Sequence, residues 1–181
     1  MNKPLAALLV FFLSLNNCFA SEGTDQANAF ASLYTSLCLK NLQNLEELRQ
    51  KLKPVPSLPQ EKATLFLNGK QGDAWPIPDK RGTFVIALPK DKNFCALFAR
   101  RADTETALRL FTALVSNPPA PLTSKKTLDI QNQTIENGTT QTISYEWSAP
   151  GATRKLMFTI TIAPSESAQL QVLGSAAIIS Q

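Results

Sequence analysis

The sequence predicts an α+β fold: an N-terminal helix, short strands with a hairpin, a second helix, then a four-stranded antiparallel meander. Three observations carry this prediction. From Phe30 onward, apolar residues recur in steps of three and four, the spacing of a helix with one buried stripe. Within residues 82–115, two apolar runs, 84–88 and 94–98, flank the polar break Pro89-Lys90-Asp91-Lys92-Asn93, and an amphipathic stretch follows. Beyond residue 122, apolar and polar residues alternate, and Asn137-Gly138 lies between two such runs, a strong hairpin signal.

Residues 1–20, MNKPLAALLVFFLSLNNCFA, read as a secretory signal peptide. Lys3 gives a positive start, residues 5–15 an apolar core, and Cys18-Phe19-Ala20 a small-x-small cleavage site. A core of about eleven residues is too short for the roughly 20 that cross a bilayer. Acylation of Cys18 is the competing reading, weakened by Asn16-Asn17 where small residues are expected. Cleavage near Ala20 leaves one exported domain over residues 21–181, about 160 residues, enough to bury about two-thirds of its chain surface. The expected location is the periplasm or the exterior.

Residues 21–28 are small and polar and read as a loose lead-in. The helical stripe then runs Phe30, Leu33, Tyr34, Leu37, Cys38, Leu42, Leu45, Leu48 and Leu52. Lys40-Asn41 divides it, with Asn41 as cap of the second segment, and Pro54 ends it. Pro54, Pro56 and Pro59 make a stiff extended connector. Residues 60–67 favour a short helix over a strand. Residues 74–78 (Ala-Trp-Pro-Ile-Pro) read as an edge strand, because proline cannot donate a ladder hydrogen bond. After the turn 79–82 and the hairpin, the second helix (103–115) buries Ala107, Leu108, Phe111, Leu114 and Val115, with Asp103 or Thr104 as N-cap. The Pro-rich residues 118–121 join two halves, 21–117 and 122–181. In the second half, the unlike parity of Leu128 and Ile135 predicts a bulge in the first strand, and Gly174 marks one in the last. Helices over one face of a sheet drawn from both halves complete the fold.

Cys18 leaves with the signal, so Cys38 and Cys95 remain. In an oxidising compartment they most simply pair with each other; two buried free thiols are the alternative. The pairing removes a thiol nucleophile, and no CxxC is present. The chain has no histidine, which excludes Ser-His-Asp and Cys-His catalysis and imidazole metal ligands. No phosphate-binding loop is present, and the net charge of +4 is too mild to imply nucleic acid. No cofactor is expected.

The carboxylates Asp73, Asp79, Asp91, Asp103, Glu105, Asp129, Glu136 and Glu146 fall in turns, caps and polar strand faces, and no spacing singles out a glycosidase pair. Lys80, Arg81, Lys90, Lys92, Arg100 and Arg101 gather at both ends of the central hairpin, as a basic rim for an acidic partner protein, an anionic glycan or a lipid headgroup, or as ordinary solvated ends. Trp75, beside a proline and a turn, is the candidate surface aromatic, whereas Tyr145 and Trp147 share the parity of Ile143 and belong to the core.

Trp75, the block CALFARRAD at residues 95–103 and the helix through Phe111 resemble small exported bacterial proteins of uncharacterised function. In these a Trp, a mid-strand Cys and an F-A-x-x-A-D block recur between a Cys-bearing N-terminal helix and a β-rich end. The resemblance spans residues 26–178 loosely and is specific in the central block. It implies export and the disulfide, and brings no activity with it. The expected function is that of a non-enzymatic exported binding or accessory protein acting through a protein–protein interface, toxin neutralisation being one form. A secreted carboxylate-dependent hydrolase and a glycan-binding module using Trp75 are the alternatives.

Overall fold

The computed structural model describes residues 16–90 and 92–180; residues 1–15, which hold most of the signal-peptide reading, together with Asp91 and Gln181, lie outside the described residues. Helix α1 (Asn16–Leu33) runs through the segment expected to be a loose lead-in. Packing explains the difference. Ala27 and Ala29 are fully buried and Phe30 nearly so, and α1 lies along α4 (Thr104–Ser116). Small side chains permit that close approach yet leave only a faint apolar stripe in the sequence.

The chain then winds as a π-helix over Tyr34–Leu39. Phe30, Tyr34, Cys38 and Leu42 are all buried and stand four residues apart. On an α-helix, positions four apart drift by about 40° per step. The wider i→i+5 winding advances less per residue and keeps the stripe facing the sheet. Asn41 does not cap the next helix, as expected from sequence. It is buried and donates through Nδ2 to the carbonyls of Ser36 and Leu37, both at 2.9 Å, closing the π segment. The cap of α2 (Leu45–Leu52) is Asn44, which accepts from the Glu47 N–H at 3.2 Å. Residues 60–67 do form a helix, α3 (Gln60–Leu67).

Seven strands follow: β1 (Gly72–Ile77), β2 (Thr83–Pro89), β3 (Phe94–Arg100), β4 (Thr123–Thr134), β5 (Gly138–Ser148), β6 (Arg154–Ile162) and β7 (Val172–Ser180). They form one antiparallel sheet in the order β1-β2-β3-β7-β6-β5-β4, an α+β architecture with the expected meander as β4 to β7. The two halves of the chain are joined by β3 and β7, from Phe94 opposite Ala177 to Ala99 opposite Val172.

One face of the sheet carries Trp75, Phe84, Ile86, Leu97, Phe158 and Ile160 and is covered by α1, the π segment, α2 and α4. Cys38 and Cys95 form a disulfide on this side, fully buried, with their Cα atoms 5.4 Å apart. Tyr34 Oη donates to the Ser175 carbonyl at 2.7 Å, and its burial raises the phenol pKa well above the ordinary value. The carbonyl of Val115, at the end of α4, accepts from both Trp147 Nε1 (2.6 Å) and Ser124 Oγ (2.7 Å). A smaller cluster on the other face, built on Ala87, Ala96 and Phe98, lies under α3.

A bulge is present in β4, between Lys126 and Leu128, but not beyond Ile130 where the change of parity points: the register is unbroken from Leu128 to Thr134, and Ile135 lies in the turn past the strand. The bulge expected at Gly174 is absent: its pairings to Leu97 and Ile160 run without a break. Gly174 serves close approach instead. A Cβ there would stand 2.7 Å from Phe30 Cζ and 3.2 Å from Tyr34 Cδ2. Among the described residues no helix is long and apolar enough to cross a membrane.

Candidate functional site

Trp75 is not a surface aromatic. It is 6% exposed and packs in the main core opposite Ile86. Its neighbour Pro76 takes the outward position, while Ala74 is buried against the second cluster under α3, so both faces of this edge strand are covered at its middle. Tyr145 and Trp147 are also buried, in edge contact with Phe111 and Phe158 respectively.

The basic residues do not form one rim. Thr83 pairs with Arg100, which sets Lys80, Arg81, Arg100 and Arg101 at one end of the β2–β3 hairpin. Lys90 and Lys92 lie at the other end, a strand length of roughly 20 Å away. Arg81 is held by Asp79, with Nη2 at 2.6 Å and Nε at 2.9 Å from its carboxylate. These bonds lower the Asp79 pKa to about 2 and raise that of Arg81. Lys92 borders a shallow depression of about 290 Å³ with Asn44, Glu46 and Arg49, whose guanidinium donates to the Pro89 carbonyl at 2.7 Å.

Several of the carboxylates have partners of their own. Asp103 caps α4 by accepting from the Thr106 N–H at 2.8 Å. Asp129 meets Lys126 at 2.9 Å and Gln141 at 2.8 Å, which lower its pKa, Gln141 first. Glu146 pairs with Lys155 at 2.9 Å.

Two surface features remain. The first is β4, which forms one edge of the sheet over its whole length, with Leu128 36% and Ile130 42% exposed and Ile135 fully exposed in the turn beyond. The second is a cleft of about 530 Å³ between α1, the β3–α4 junction and the β6–β7 loop, lined in part by Glu22, Gln26, Arg101, Asp103, Glu166 and Gln171. Arg101 has a left-handed backbone, φ 64°, held by its N–H donating to Gln171 Oε1; Gln171 Nε2 in turn donates to the carbonyls of Ala168 and Ser165. Sequence reasoning missed both glutamines. Gln26 lay in the presumed lead-in, and its spacing of four from Glu22 was the available signal. Gln171 sits just ahead of β7, where nothing marks a buried amide.

No family model matches this chain, and neither a curated protein nor a solved structure matches it.

Proposed function

We propose that this is an exported bacterial binding protein, non-enzymatic, that takes up an extended segment of a partner protein along the free edge of β4. The distal half of that edge carries the reading. Natural sheets guard their edges with prolines, lysines, bulges or covering elements. The opposite edge, β1, is short, contains Pro76 and lies beside α3. On β4 the lysines and the bulge are confined to the proximal half, as Lys125 and Lys126, and the one charge of the distal half, Asp129, is paired with Lys126. From Leu128 to Thr134 there is no lysine and no proline, and two aliphatic side chains are exposed on one face.

Main-chain hydrogen bonds along such an edge supply affinity, and alternate side chains supply selectivity. The fitting partner strand sets apolar residues beside Leu128 and Ile130 and an acidic residue near Lys125. The buried disulfide fits an oxidising compartment. A glycan platform built on Trp75 loses its aromatic to the core.

Affinity capture from bacterial envelope extracts, with the oxidised protein as bait, tests this directly. The expected result is one stoichiometric partner that the Leu128→Lys/Ile130→Lys double variant no longer retains. Equal retention by the double variant sinks the edge reading. Turnover of an envelope substrate that is lost on a single carboxylate substitution sinks the non-enzymatic one.

A further inference from the structure

The residues of β4 are symmetric about their own centre. Thr127 has no partner on β5, so the ladder steps from Lys126 directly to Leu128. The strand therefore holds eleven paired positions, Thr123 to Thr134, and Asp129 is the middle one. Positions equally far from Asp129 share a face of the sheet, because side chains alternate along a strand. They also match in chemistry. Leu128 mirrors Ile130, and both are exposed aliphatic side chains. Lys126 mirrors Gln131 and Lys125 mirrors Asn132, each a cation against an amide. Ser124 mirrors Gln133, and Thr123 mirrors Thr134.

A strand with this symmetry fits a second copy of itself. Two copies related by a two-fold axis pair antiparallel, and each residue then faces its mirror position in the other copy. With the axis at Asp129, Leu128 lies beside Ile130 of the second copy, and the same contact recurs on the other side of the axis. Each lysine-bearing half meets a half without lysine, so no lysine faces a lysine. The edge has no other strand beyond it, and such pairing joins the two seven-stranded sheets into one. Only the axis opposes it. There the two Asp129 carboxylates stand side by side, each held by its own Lys126 at 2.9 Å and Gln141 at 2.8 Å. Like charges directly opposite on a sheet weaken the pairing. The contact is thus a reversible cap that a better-matched strand can displace.

We propose that, with no partner strand present, two copies of this chain cap each other's β4 edge, antiparallel about Asp129. The inference rests on the open edge of the proposed function and names what occupies that edge at rest. Analytical ultracentrifugation of the disulfide-bonded protein alone, from roughly 1 µM to roughly 1 mM, tests it. A reversible monomer–dimer equilibrium is expected. Leu128→Lys and Ile130→Glu each weaken it about tenfold or more, because each substitution enters the interface twice. Both positions are exposed, and circular dichroism checks that the variants keep the fold. An equimolar mixture of the two variants regains a dimer, since the introduced cation and carboxylate then face each other across the seam. Asp129→Asn tightens the dimer about threefold by removing the like charges at the axis. A monomer throughout the range, a mixture that stays monomeric, or a dimer weakened by Asp129→Asn overturns the proposal. The proposed function is judged separately. A monomer that still captures an envelope partner keeps that reading and removes this one, while a dimer that captures nothing does the reverse.

Discussion

At Gly174, Phe30 and Tyr34 of the N-terminal helical layer come down on β7, and no side chain fits between. Gly174→Ala is expected to cost about 1–3 kcal/mol, because the rings and the strand must separate to admit a methyl group; urea unfolding gives the number. A glycine inside a strand signals either a bulge or a close approach. Sequence cannot choose between these, because the approaching rings come from the far end of the chain. Asp79 leads to a pH prediction. Its folded-state pKa of about 2 lies below the unfolded value of about 3.9. The native state therefore binds fewer protons than the unfolded chain in that window. The contribution of the Asp79–Arg81 pair is present above about pH 4 and lost as the pH falls through about 2. Asp79→Asn should lower stability above about pH 4, converge with wild type as the pH falls to about 2, and so flatten the acid limb over that interval; an acid limb identical to wild type would contradict this.

The helices and hairpins were legible wherever their signals are local. The hairpin of β2 and β3 and the Asp103 cap of α4 each follow from neighbouring residues. The π segment was not, since the stripe that demands it also reads as an ordinary helix with wide steps. Two asparagines in one short stretch show the limit: Asn41 and Asn44 have the same capping chemistry, and tertiary burial alone assigns the cap to Asn44. Asn44→Ala should therefore cost about 1 kcal/mol through α2. Asn41→Ala should cost more, because it also takes the donor from two carbonyls beside the disulfide; paired thermal melts rank the two. The Cys38–Cys95 bridge closes a separation of 57 residues, and the Cys38→Ala/Cys95→Ala double variant is expected to lose roughly 4 kcal/mol. Denaturant curves of the variant against the oxidised parent measure that loss.

On the scale of the whole molecule, sequence reached the fold class and stopped short of the strand order, because no local signal says that β3 pairs with β7. That pairing makes the strands of the two halves one continuous sheet. A fragment ending at Asn117 leaves the β3 edge unpaired and strips Phe111 and Val115 of the Tyr145 and Trp147 they pack against, so it should lack a sharp thermal transition and self-associate, which circular dichroism and light scattering would reveal. The seam also orders events in time. As the chain emerges from a ribosome or a secretion pore, everything that Cys38 and Cys95 tie together lies in its first half, while the strand that closes β3 is the last element to arrive. The first half can be oxidised early and yet must wait for β7 before its sheet is complete. A carrier that shields an open strand edge during that interval would serve this protein better than one that merely accelerates disulfide formation.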